Sequence, residues 1–359
     1  MLSHSEHRSP HDLHRRQLDR QLDGGSGPGA VSELAARRRE DRQGWSWLRF
    51  RDAAGTCRRP ENCQPQSPEG RYVRVVRISV GDVRLYFEAY GQARRIARDA
   101  SAIERFPVLV GLHGGPGSDG GKLRFLLPHL ADVAQVLVPD QRGHGLSDPG
   151  APRTWNLAQW AADVKAFADA LEVDRPVVLG ESFGGFVAQE YAGTYPEQPA
   201  GLILVSCGSR FATPAESAGH VGGASGPAVG AVLAAAHDPD SDAEDWARVI
   251  EPLLAVQSDP LLDRLEQLRV QTMDVNRHFE PEGFAMDLRP RLANVRCPTL
   301  LIVGESDPLV PPALAHELID ALPAGIGRLA VIKNASHRVL THDERDVWKL
   351  IRSFISDLQ

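Results

Sequence analysis

The sequence predicts an α/β fold: a mostly parallel sheet flanked by helices, with a small helical cap inserted between two of its strands. Three observations carry that expectation. Apolar runs alternate with helical patterns over residues 107–206 and again over 299–357, an order that builds a parallel sheet with helices on both faces. Runs such as Pro107–Leu112 are apolar almost throughout, as strands covered on both faces require. Residues 208–290 break the alternation and are rich in Ala, Gly, Asp and Pro.

Taken in order, residues 1–70 stand apart. They are rich in Arg, Asp, Gly, Ser and Pro and have poor apolar periodicity. Gly24–Gly29 reads as flexible linker and Ser67-Pro68-Glu69-Gly70 as a boundary turn. The extension is expected to be disordered, with Trp45–Phe50 a candidate docking element. Its histidines at 4, 7, 11 and 14 read as polar tail, and Cys57 with Cys63 lacks the second ligand pair of a zinc site.

The regular pattern starts at Arg71. Val73, Val75 and Val80 suggest a strand, Gly81-Asp82 a turn, and alternating Val83, Leu85 and Phe87 a second strand. A buried strand over 107–112 precedes a helix over 122–130 and a strand over 134–139. Apolar residues at 157, 160, 161, 164, 167, 168 and 171 form a helical stripe. Strand 177–179, helix 183–195 and strand 202–206 follow. Within the 208–290 cap, helical stretches are expected near 243–256 and 260–272. Strand 299–303, helix 312–322, strand 329–332 and helix 343–357 complete the core, which thus comprises 71–207 and 291–359.

A chain of 359 residues, 42% hydrophobic and 24% charged, can bury a large core. Its net charge of -7 argues against nucleic acid as the main partner. Neither an amino-terminal apolar stretch typical of a secretory signal nor a membrane-length apolar run is evident. The four cysteines, at 57, 63, 207 and 297, are too few for a disulfide scaffold. Cys207 falls just past the end of one expected strand and Cys297 just before the start of another, opposite ends in a parallel sheet, so no bridge is expected. A reduced, cytoplasmic setting fits this usage.

The chemistry is concentrated in Gly180-Glu181-Ser182-Phe183-Gly184-Gly185. An apolar run precedes it and a helical pattern follows it, so this G-x-S-x-G reads as a sharp strand-to-helix turn that exposes the Ser182 hydroxyl. A serine hydroxyl needs a base within reach and a third group to orient that base. Asp307 and His337 follow the strands of 299–303 and 329–332, and the Ser182 nucleophile precedes both in the chain. All three are placed beyond the carboxyl ends of strands, where sites in open α/β sheets lie. Ser182 is thus the candidate nucleophile, His337 the base and Asp307 the orienting acid. Glu305 is a competing acid; His113, His144 and His342 are weaker candidates for the base. Two backbone amides are expected to stabilise a tetrahedral oxyanion. One is that of Phe183; the other comes from His113-Gly114-Gly115-Pro116-Gly117, with Gly115 the first choice and Gly114 the second. Asp140 and Arg142 read as braces of the neighbouring loop, and Asp148 and Asp163 as surface or capping residues.

With these residues in hand, the chain resembles the alpha/beta-hydrolase superfamily and, within it, the proline iminopeptidase group. The motifs that carry the resemblance are His113–Gly117, Asp140-Gln141-Arg142-Gly143-His144-Gly145-Leu146-Ser147, the 180–185 turn, Gly304-Glu305-Ser306-Asp307 and Ser336-His337. It covers residues 72–358. Glu181 and Phe183 depart from the iminopeptidase pattern, which has a small residue or glycine before the nucleophile and commonly tryptophan after it. The resemblance implies cap acids that hold a substrate's free amino group; Glu216, Glu244 and Glu280 are the candidates carried forward, with Asp245, Glu251 and Glu282 behind them. It also implies a hydrolase that acts through an acyl-enzyme on a small ester or amide, in the manner of a proline iminopeptidase. The alternatives are a metabolite esterase, lactonase or thioesterase, and a non-catalytic ligand-binding homologue. The expected partner is a small molecule or short peptide, with no membrane, no metal and no organic cofactor.

Overall fold

A computed structural model describes residues 74–96, 103–235, 248–254, 260–341 and 344–359. The readings made for residues 1–70 lie outside the described residues, as do Glu244, Asp245 and His342.

The apolar runs become one eight-stranded sheet. Its strands are β1 (Arg74–Val80), β2 (Val83–Tyr90), β5 (Val108–Leu112), β6 (Gln135–Pro139), β7 (Val177–Glu181), β8 (Gly201–Val205), β9 (Thr299–Gly304) and β10 (Gly327–Ile332). They are arranged in the order β1-β2-β6-β5-β7-β8-β9-β10, and β2 alone runs against the rest. A short hairpin of β3 (Arg94–Ile96) and β4 (Ile103–Arg105), not foreseen from the sequence, lies between β2 and β5 in the chain.

Alternation within each strand sorts side chains to two faces. Leu109, Val136, Val138, Val177, Leu179, Ile203, Val205 and Ile302 share one buried cluster with Leu123 and Leu126 of α1 (Gly121–Leu126) and with Ile351 and Phe354 of α11 (Glu344–Asp357). The other large helices of the core are α2 (Leu157–Ala170), α3 (Phe183–Thr194) and α10 (Pro312–Ala321). The stripe read from the sequence points inward: Leu157, Trp160, Ala161, Val164, Phe167 and Ala168 are all buried. Asn156 caps α2 by accepting from the Gln159 amide at 2.9 Å. The helix expected over 122–130 is split into α1 and a 3-10 turn over Leu127–Leu130, because Pro128 has no N–H to continue an α-helical ladder.

The chain between β8 and β9 carries α4 (Pro214–Val221), α5 (Gly226–Ala235), α6 (Glu251–Leu254), α7 (Pro260–Leu268), α8 (Met273–Ala285) and α9 (Arg289–Leu292). Of these, α6 and α7 fall in the predicted stretches; α4, α5 and α8 do not. The α5 sequence GPAVGAVLAA has no polar face to give a periodic signal. Within α8, Pro281 marks a break by local rules, yet the helix continues to Ala285. Cys207 and Cys297 are buried free thiols. Among the described residues, no helix is long and apolar enough to cross a membrane.

The tightest packing is at the turn from β7 to α3. A Cβ at Gly180 would overlap the Gly184 carbonyl, and one at Gly184 would overlap the carbonyl oxygen of Leu112 on β5. Backbone, not a flexible side chain, is the obstacle in both cases. Gly184→Ala is therefore expected to lower unfolding free energy by about 1–3 kcal/mol through overpacking. Urea titration checks this: a midpoint equal to wild type would mean that α3 and β5 can separate without cost.

Candidate active site

The turn that begins α3 places Ser182 in a conformation that L-residues avoid, with φ 51° and ψ -116°. Such strain costs on the order of 1–3 kcal/mol and persists only where surroundings enforce it. Here the Ser182 amide donates to the Val205 carbonyl at 2.8 Å and the Ser182 carbonyl accepts from the Gly185 amide at 2.9 Å. The side chain is thereby held at the carboxyl end of β7, half-buried.

Two loops meet it there. After β10, the chain turns through Asn334 (φ 55°) and brings His337 Nε2 to 3.1 Å from Ser182 Oγ. After β9, Asp307 is fully buried, and its Oδ2 lies 2.8 Å from His337 Nδ1. Its Oδ1 accepts from the amides of Leu309 and Val310 at 2.8 and 3.0 Å. An ionised carboxylate only accepts, so this arrangement puts a proton on Nδ1 and leaves the Nε2 lone pair for the serine hydroxyl. The set can therefore take a proton from Ser182 as its oxygen attacks an electrophile. The alternative acid, Glu305, is exposed and accepts from the Asn334 amide at 3.2 Å.

The alternative bases at 113 and 144 are committed elsewhere. His113 is buried, donates from Nδ1 to the Gly114 carbonyl at 2.8 Å and accepts at Nε2 from the Gln141 amide at 3.1 Å. Burial lowers its pKa. Burial also pushes His144 down to about 3, and its Nδ1 faces the Arg142 carbonyl at 2.8 Å. Both are neutral imidazoles that brace loops.

The amide of Phe183 opens α3, where N–H groups have no partner within the helix. Its ring is buried against Trp160 and Phe279, at centroid distances of 5.0 and 5.3 Å. Across from it, Gly114 is packed against Ser182: a Cβ there would lie 3.5 Å from Ser182 Cβ. Gly115 follows, exposed and at φ 141°. Buried Asp140 supports this loop from behind, accepting from the amides of Gly120 and Leu146 at 2.8 and 2.9 Å and pairing with Arg124.

Asp163, read as a surface or capping residue, is instead buried, and its two oxygens accept from Arg142 at 2.7 and 2.8 Å. A guanidinium 1% exposed needs such a partner. Among the acids proposed to hold a substrate amine, Glu216 is spent on local structure: it forms a capping box with Thr213 and a bidentate pair with Arg210, which holds its carboxyl down to about 2. Glu280 is half-buried on α8. Glu282 accepts from the Leu157 amide at the start of α2, and burial raises its pKa. Glu251 is exposed on α6. Among the described residues, no group of three or more His, Cys, Asp and Glu could hold a metal ion.

Several contacts at the site had no signal in the sequence. The Thr272 amide donates to the Gly117 carbonyl at 2.7 Å. Ser336 Oγ donates to the Leu253 carbonyl, and the Arg338 amide to the Leu254 carbonyl at 2.8 Å. Phe279 could have been found only after α8 itself, where Val275 and Phe279 share the buried face.

Comparison with known proteins shows the family and the fold. The family model described as alpha/beta hydrolase fold matches residues 107–341. A pimeloyl-[acyl-carrier protein] methyl ester esterase of Chromobacterium violaceum is 28% identical over 251 residues, 67% of this chain and 91% of the relative. A proline iminopeptidase of Pestalotiopsis fici is 27% identical over 267 residues, covering 70% and 92%. The crystal structure of a Mycobacterium smegmatis proline iminopeptidase superposes with a TM-score of 0.62 at 20% identity, covering 79% of this chain and 98% of that one.

The buried histidines generate a pH dependence. In the unfolded chain each titrates near pH 6.5; in the fold His144 stays neutral down to about 3. The unfolded state therefore binds more protons in that interval. The stability contributed by the neutral imidazole is complete above about pH 6.5 and is lost as pH falls towards 3, at up to about 1.4 kcal/mol per pH unit. His144→Gln is expected to show a shallower fall in urea midpoint over that window than wild type. Parallel slopes would mean that His144 is protonated in the folded protein.

Proposed function

We propose that this chain, which belongs to the alpha/beta hydrolase fold family, is a serine hydrolase that cleaves a small carboxylic ester or amide through an acyl-enzyme. One observation carries the reading: a continuous hydrogen-bonded line from Ser182 Oγ through His337 to buried Asp307, of 3.1 and 2.8 Å.

In the first half-reaction Ser182 Oγ attacks the substrate carbonyl carbon and its proton passes to His337 Nε2. Asp307 keeps the imidazole oriented and stabilises the imidazolium. The negative charge on the carbonyl oxygen is received by the amides of Phe183 and Gly115, each worth about 2.7–4 kcal/mol of transition-state stabilisation. His337 then gives its proton to the leaving alcohol or amine. Water, deprotonated by His337, attacks the acyl-enzyme and releases the acid. On this reading, the described helices between β8 and β9 serve as the cap over the substrate.

Ester cleavage is the leading assignment. The esterase relative supports it, as does the commitment of Glu216 to Thr213 and to Arg210, whose guanidinium already matches the charge that a substrate ammonium would seek. Iminopeptidase-type cleavage is the second reading, favoured by His113–Gly117 and the iminopeptidase relative, with half-buried Glu280 as the acid to hold the amine.

Paired kinetics on p-nitrophenyl acetate and proline p-nitroanilide separate the two. Ser182→Ala is expected to lower kcat by roughly 10⁴-fold or more while the fold is kept. Ester turnover without amide turnover supports the first assignment; amide turnover that prefers proline over alanine moves it to the second. Turnover that persists in Ser182→Ala would sink both. Every step uses groups of the chain and water, so full activity is expected in EDTA, and strong loss there would contradict the mechanism.

A further inference from the structure

The residue before the nucleophile carries a charge. Glu181 ends β7, and its side chain is 4% exposed. One carboxylate oxygen lies 2.7 Å from Lys122 Nζ on α1; the other is buried without a hydrogen-bond partner. As a device for stability alone this is poor design, since a buried carboxylate with an unmet oxygen forfeits much of what the ion pair returns. Its place in the fold suggests another use. Lys122 lies just beyond the loop 113–120, which bears Gly114 and Gly115, and Glu181 immediately precedes Ser182 and Phe183. The pair therefore joins the two segments that carry the oxyanion donors.

We propose that Lys122 is a positioning residue of the active site: its ammonium neutralises the buried Glu181 carboxylate and ties the oxyanion loop to the nucleophile turn. The inference rests on the serine-hydrolase reading above. A tetrahedral oxyanion forms one residue away from Glu181. Beside a neutral pair it is stabilised by the two amides; beside a bare carboxylate it would be opposed by like charge in a low-dielectric setting. Other charged groups near the turn are already matched. His113, from the end of β5, is held neutral, and His337 faces Asp307. Arg124 of α1 pairs with Glu88, Asp119 and Asp140. Arg338 faces Asp263 of α7.

The test is the rate at which a fluorophosphonate labels Ser182 at one fixed, near-neutral pH. The Ser182 Oγ–P bond forms, the P–F bond breaks, fluoride leaves and the serine proton passes to His337, so the readout needs the nucleophile and oxyanion donors but no knowledge of the natural substrate. In Lys122→Met the Glu181 carboxylate loses its counter-ion, and labelling is expected to fall about tenfold or more below the wild-type rate. Adding Glu181→Gln removes the carboxylate and should restore the rate. A Lys122→Met rate equal to wild type, or a fall that persists in the double variant, overturns the proposal. Thermal melting checks folding, and Lys122→Gln carries the same comparison if the methionine variant does not fold. Wild-type protein that takes no label at Ser182 would defeat the hydrolase reading and this inference together, whereas normal wild-type labelling with an indifferent Lys122 variant defeats this inference alone.

Discussion

Backbone meets backbone at the β7–α3 turn, and the rest of the site is arranged around that contact. Gly180 lies under Gly184, Gly184 lies against Leu112, and Gly185 against Cys207. With no side chains between them, β5, β7 and α3 converge on one point, and Ser182 is forced to φ 51°. The strain at that residue is sustained by the surrounding sheet, whose strands β5, β7, β8 and β9 are almost wholly buried. A hydroxyl fixed in this way can be met by loops from β9 and β10 without any of the three elements having to move.

Much of this was legible in the sequence because the signals are local. Apolar runs of strand length gave the sheet, and the periodicity from Leu157 to Leu171 gave α2 almost to the residue. The G-x-S-x-G in its strand–helix context located the turn. Asp307 and His337 were legible by position: each follows an apolar run by a few residues, and parallel strands deliver such loops to one end of a sheet. The hydrogen bonds that join them to Ser182 follow from that topology.

What escaped reading depends on pairings between residues far apart in the chain. Asp163 looks like any polar residue on the outer side of a helix until Arg142 is seen to reach it from a loop 21 residues earlier. Glu216 looks like a free cap acid until Thr213 and Arg210 claim it. The helices α4, α5 and α8 were missed for different reasons. The start of α4 is marked only by the short Thr213–Glu216 capping box, α5 has no polar face to give a helical period, and the internal proline of α8 contradicts local propensity, so that tertiary packing decided the outcome there.

That packing gives the segment between β8 and β9 a reach into every part of the site. From α6, the carbonyls of Leu253 and Leu254 hold the residues on either side of His337. From α8, Phe279 closes on the ring of Phe183, whose amide is one proposed oxyanion donor. Thr272, at the start of α8, holds Gly117 in the loop of the other donor. A segment that only roofed a pocket would need contacts with substrate alone. This one touches the proposed base, the turn of the proposed nucleophile and the loop of the proposed oxyanion donor, so on that reading a substrate that shifts these helices shifts the catalytic distances too. Specificity and rate are then expected to change together when the cap is altered, because the same hydrogen bonds and ring contacts serve both.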